Sequence, residues 1–135
     1  GEILGLDRHW NIAIIGIGHL GVALANYQNF IALGFNLVAL FDQDPKLIGT
    51  TVNHLPVSHI SDMDEIAKKR NIHIAIIAVP AVFAQEAADR AIAAGVNGIW
   101  NFAPVKLQVP SGIHLVNEDL SVGLSSLSYH LTRNI

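Results

Sequence analysis

Asn11–Gly21 reads NIAIIGIGHLG, and this stretch decides the fold. Its first seven residues, Asn11 to Ile17, form a branched apolar run without polar alternation, the pattern of a strand buried on both faces. Gly16, Gly18 and Gly21 complete a GxGxxG signature where that strand should give way to a helix. In this setting Gly16 permits a tight turn, Gly18 lets the backbone approach a pyrophosphate, and Gly21 lets the helix pack closely on the strand. Free N–H groups and the helix dipole favour the anion. Ile17, His19 and Leu20 lie in the same loop and join the glycines as candidate cofactor contacts.

Working outward, Leu20, Leu24, Tyr27 and Ile31 fall at helical spacing up to Gly34, and Phe35 to Phe41 (FNLVALF) reads as a second strand. The stretch from Lys46 to Ser61 is mixed, with a short strand near Val57. Ser61 or Asp62 can cap a polar helix over Met63 to Arg70, and Ile72 to Val79 is another buried strand. Pro80 suits the first turn of an alanine-rich helix that runs through Ala94 and stops at Gly95. Gly98 to Asn101 and His114 to Val116 supply two more strands. Leu120, Leu124, Leu127 and Leu131 form one apolar stripe, so the chain should close with an amphipathic helix. Strands and helices alternating in this way predict an α/β fold, a Rossmann-like doubly wound parallel sheet with right-handed crossovers, in one domain over residues 1–135.

Asp42 ends the second strand, where a carboxylate can accept bonds from the adenosine ribose hydroxyls. An acid there favours NAD or NADH over the phosphorylated cofactors, because it would repel a 2′-phosphate. Asp42 also fits as the start of the turn with Asp44 and Pro45. Two further loops at strand carboxyl ends could meet a nicotinamide: Val79, Pro80 and Ala81, and Asn101, Phe102, Ala103 and Pro104. Both are apolar, and both also fit a packing role.

Hydrophobic residues make up 51% of the 135 and charged residues 14%, low enough to predict a doubly covered sheet, an oligomer interface, or both. The net charge of −3 provides no basic footprint for a nucleic-acid backbone, so this piece by itself should not bind DNA. The absence of cysteine excludes disulfides, thiolate metal sites and cysteine nucleophiles. No apolar run is long enough to span a membrane, and a cytoplasmic protein is expected. Seven histidines are scattered without an HExxH pattern, no GxSxG surrounds any serine, and no metal site or catalytic residue is expected. The single methionine, Met63, and the start at Gly1 suggest a fragment of a longer protein.

The stretches GLDRHWNIAIIGIGHLG, FDQDPKLIG, AVPAVFAQEAAD, AGVNGIWNFAPVKLQVP and NEDLSVGLSSLSYHL together resemble the Rex family of redox-sensing transcriptional repressors over nearly the whole chain. That resemblance implies a homodimeric bacterial repressor whose carboxy-terminal Rossmann domain binds NADH or NAD⁺. A winged-helix domain, absent from this chain, would read the DNA operator. It also implies that the last helix is exchanged between subunits and that Asp119 lies near the nicotinamide and takes part in switching, although Asp119 is also well placed to cap that helix. Two alternatives remain at this stage: a truncated NAD-dependent oxidoreductase, and a CoA-binding domain of similar fold.

Overall fold

The computed structural model describes residues 9–118 and 120–133. Seven strands and four helices alternate: β1 (Trp10–Ile15), α1 (His19–Ala25), β2 (Phe35–Asp42), β3 (Thr51–Val52), β4 (Leu55–His59), α2 (Met63–Arg70), β5 (Ile74–Ile77), α3 (Ala81–Ala93), β6 (Gly98–Asn101), β7 (His114–Asn117) and α4 (Leu120–Arg133). The sheet order is β3-β4-β2-β1-β5-β6-β7, and every neighbouring pair is parallel except β3 with β4. The expected Rossmann-like sheet is therefore present, with β1 at its centre. The chain leaves β1 for β2 on one side and later returns to β5 on the other, which opens a crevice at the strands' carboxyl ends.

Alternation along the strands feeds two cores. Ala13, Ile15, Ala75 and Ile77 face α2 and α3, whose contribution is largely alanine (Ala67, Ala84, Ala87, Ala88 and Ala91). Small residues there let the helices lie close to the sheet. Ile12, Ile14 and Ile76 point the other way, toward Ala25, Phe30 and Val57. Each fully buried isoleucine contributes about 1.5–3 kcal/mol, so these central strands carry much of the hydrophobic stabilisation.

The register between β1 and β2 slips once: Ile12 pairs with Leu37, but Ala13 pairs with Ala39. Val38 is the extra residue, and its carbonyl accepts a 2.8 Å bond from the Arg70 guanidinium at the end of α2. The slip resets the alternation. Val38 and Ala39 both pack toward α2 and α3, while Leu37 and Leu40 pack toward α1.

Several boundaries differ from expectation. β1 stops at Ile15, because Gly16 turns to φ +101°. α1 ends at Ala25 and leaves Tyr27 and Ile31 outside the helix; the Asn26 carboxamide donates to the Val22 carbonyl at 3.0 Å, giving the backbone a local alternative to further helix. Neither Ser61 nor Asp62 caps α2 with its side chain. A single 3₁₀ turn, Ile60–Asp62, precedes that helix, and His59 Nδ1 accepts its Ser61 N–H at 3.0 Å.

The stretch read as mixed contains a hairpin, β3 to β4, turned by Asn53 at φ 50° and His54 at φ 68°. Asn53 also donates to the Ala25 carbonyl at 2.9 Å, closing the end of α1. Asn53→Ala is expected to cost about 1–3 kcal/mol through the left-handed backbone and the lost bond, and Asn53→Gly less, as measured by urea unfolding.

One face is only partly covered. Beneath β5, β6 and β7 lies an apolar trough of 740 Å³, walled by Ile74, Ile76, Trp100, Phe102 and Val116, with His114 at its margin. Leu124, Leu127 and Leu131 of α4 are 67%, 56% and 60% exposed. These are three of the four leucines of the expected stripe, and the described residues of this chain do not cover them; the Leu120 side chain lies outside what the structure describes. No helix among the described residues is long and apolar enough to cross a membrane.

Candidate functional site

A cleft of 590 Å³ opens at the carboxyl ends of the central strands, within the usual size range of small-molecule sites. Its floor is the glycine loop, and each glycine has different surroundings. A Cβ on Gly16 would lie 2.7 Å from the Ala78 backbone, and one on Gly21 would fall on the Gly16 carbonyl oxygen. A Cβ on Gly18 would meet nothing within 4 Å. Gly16 and Gly21 thus shape the turn from below, whereas Gly18 faces open space. Gly18 is also the N-cap of α1 and has no side chain to bond the first-turn N–H groups, which stay available to an anion.

Asp42 forms one end wall. Its Oδ2 accepts the Ile17 N–H at 2.8 Å, and its Oδ1 accepts Gln43 N–H at 2.7 Å and Asp44 N–H at 2.9 Å. The two readings of Asp42 therefore coexist: it starts the turn and it ties that turn to the glycine loop. Oδ2 holds a single described bond, so lone pairs remain for a ligand hydroxyl.

The cleft brings together Gly16, Gly18, His19, Leu20, Asp42, Val79, Pro80, Phe102 and Ala103 from the sequence candidates, together with Pro104. The other candidates lie elsewhere. Ile17 is 2% exposed, with its side chain in the α1 core and its N–H taken by Asp42. Gly21 sits beneath the loop, and Ala81 begins α3 outside the lining. Asn101 is fully buried and does not line the cleft; its carboxamide bonds the loop that follows it. Asp119 lies outside the described residues.

Sequence reading missed Leu47 and Ile60 near the Asp42 end, and Phe83 and Glu86 on α3. Phe83 and Glu86 had a usable signal, since they follow Pro80 by three and six residues on one helical face. Leu47 and Ile60 had none, because their placement depends on how the β2–β4 connection folds over the sheet. Among the described residues, no three histidine or acidic side chains converge as a metal site would require.

Residues 7–105 match the family described as CoA binding domain. The chain belongs to the CoA-binding domain family. Within it, the resemblance to Rex extends across nearly the whole chain. The redox-sensing transcriptional repressor Rex of Syntrophobacter fumaroxidans is 45% identical over 132 residues, which are 97% of this chain and 63% of that protein. RSP, a Rex-family repressor, was solved with β-NAD⁺ and operator DNA; it is 41% identical and superposes with a TM-score of 0.92 over 98% of this chain and 61% of its own. A second RSP structure, with β-NADH, gives 41% and 0.90 over 98% of this chain and 64% of that one. The chain therefore spans less than two thirds of the length of these relatives. Their names describe repressors. This member of the family places an acid at the end of β2, bonded to the glycine loop.

Proposed function

We propose that this chain is the NAD(H)-binding and dimerisation unit of a Rex-type repressor, sensing the NADH/NAD⁺ balance without catalysing a reaction. The observation that carries the reading is Asp42, which is bonded to the glycine loop and keeps an acceptor at the cleft edge. NADH and NAD⁺ present a free 2′,3′-diol there. CoA carries a 3′-phosphate on the same ribose and NADPH a 2′-phosphate, and each would meet the carboxylate of Asp42 with Asp44 close by. The family's description names CoA; the charge at this position favours NAD(H).

Redox preference follows from the opposite end. Val79, Pro80, Phe102, Ala103 and Pro104 are all uncharged, and Phe83 flanks them. NAD⁺ brings a positive ring and NADH a neutral one. Burying an unpaired cation costs several kcal/mol, so this uncharged wall favours NADH, with Glu86 of α3 the one acid of the lining outside the Asp42 end. Asp119, in the role the family resemblance gives it, would temper that preference by offering the cation a counter-charge.

The partly covered sheet and the exposed leucines of α4 support a homodimer in which each terminal helix fills the other subunit's trough. Operator contact belongs to an amino-terminal domain outside this chain, consistent with the acidic net charge of this part. Such a sensor works in the cytoplasm, where the nicotinamide pool and the operator meet.

Calorimetric titration of the chain with NADH, NAD⁺, NADPH and CoA tests the reading. NADH should bind at least about tenfold more tightly than NAD⁺, a difference of about 1.4 kcal/mol, and both should bind ahead of NADPH and CoA. Tighter binding of CoA than of NADH would overturn it.

A further inference from the structure

Asn101 is the one buried polar side chain in the described core, and its bonds run in two directions. Toward the cleft, Oδ1 accepts the Ala103 N–H at 2.9 Å, and Nδ2 donates to the carbonyls of Val105 at 2.9 Å and Ala103 at 3.2 Å. These bonds curl the loop that places Phe102, Ala103 and Pro104 along the cleft. Away from the cleft, Nδ2 also donates to Asn117 Oδ1 at 2.9 Å, and the Asn101 carbonyl accepts the Glu118 N–H at 2.8 Å. Glu118 is fixed a second time, by the Trp100 indole N–H at 3.2 Å. Two residues later α4 begins.

The far end of the loop is fastened as well. Gln85 on α3 accepts the Gln108 N–H at 2.9 Å and donates to the Gln108 carbonyl at 2.8 Å. Held at both ends, the loop cannot shift its inner residues without disturbing the Asn101 carboxamide. Interior hydrogen bonds of this kind are stiff, because an unmade bond leaves a buried polar group without water.

We infer that Asn101 is a positioning residue joining the 102–105 wall of the cleft to the root of α4 through Asn117, so that cofactor fit and the helix root are set together. This rests on the proposed cofactor reading. It needs no contact between Asn117 and the ligand, since Asn117 does not line the cleft.

Asn117 makes the inference testable without unfolding the protein, because it is exposed at the end of an edge strand. Asn117→Ala removes the acceptor, whereas Asn117→Asp retains it. NADH affinity should fall about two- to tenfold in the alanine variant, the effect of one hydrogen bond, and recover in the aspartate variant at high salt, where the added charge is screened. ADP reaches only from Asp42 to the glycine loop and should bind all three proteins alike. Equal loss of ADP and NADH, unchanged NADH binding in Asn117→Ala, or no rescue by aspartate overturns the inference. Wild-type chain that binds neither NADH nor ADP overturns the cofactor reading itself, a separately visible result.

Discussion

Asp42→Ala should weaken NADH binding by about two to four powers of ten. Two losses combine. The ribose hydroxyls lose a charged acceptor, worth about 1.5–3 kcal/mol, and the Ile17 N–H loses its partner in a half-buried loop, at about 1–3 kcal/mol. At about 1.4 kcal/mol per tenfold, the sum gives the stated range. Asp42→Asn should fall between, because its carbonyl oxygen can still accept from Ile17 while the charge is gone. In both variants the preference for NADH over NADPH should shrink, since the repulsion toward a 2′-phosphate has been removed. Calorimetry with the two cofactors reads both effects. An alanine variant within threefold of wild type for NADH would mean that the ribose sits elsewhere.

In the proposed homodimer, replacing Leu124, Leu127 and Leu131 together by serine should convert the dimer into a monomer at micromolar concentration. Each leucine buried at an interface contributes about 1.5–3 kcal/mol, and twofold symmetry counts each one twice. Even halved for non-additivity, the total of about 5–9 kcal/mol is comparable with the roughly 8 kcal/mol that holds a micromolar complex. These side chains are exposed within the single chain, so the fold of each subunit should survive. Sedimentation measures the first effect and circular dichroism the second. A triple variant that remains dimeric would place the interface on another surface, and the trough would then need a different occupant.

The central sheet was legible in the sequence because its signal is local and redundant. A buried parallel strand is apolar throughout, and β1 and β5 read that way, with glycine or proline following each. The glycine loop and Asp42 were legible because each residue type answers a specific steric or electrostatic need. Failures came where a tertiary contact decided the outcome. Helical spacing ran past Ala25 to Ile31, but Asn26 turned the chain and delivered Phe30 to the core. Asn101 fell at a strand end and looked like a contact, yet its carboxamide serves the loop's own backbone. The β3–β4 hairpin relies on two non-glycine residues in left-handed conformation, a turn with little sequence signature. The low proportion of charged residues raised the expectation of hidden surface; the described residues leave apolar surface open on the sheet face below β5 to β7 and on α4.

The extra residue at Val38 makes the site depend on counting as well as on chemistry. Because two successive residues of β2 face the same core, everything after Val38 is shifted by one half-period, and Asp42 emerges on the side of Leu40, toward the glycine loop. Without that slip, the same aspartate on the same strand would project across the sheet to the opposite layer. Loss of Val38 alone would restore regular pairing and keep the carboxylate beside the glycine loop, whereas loss of one residue between Ala39 and Asp42, with the slip retained, would turn it to the opposite layer.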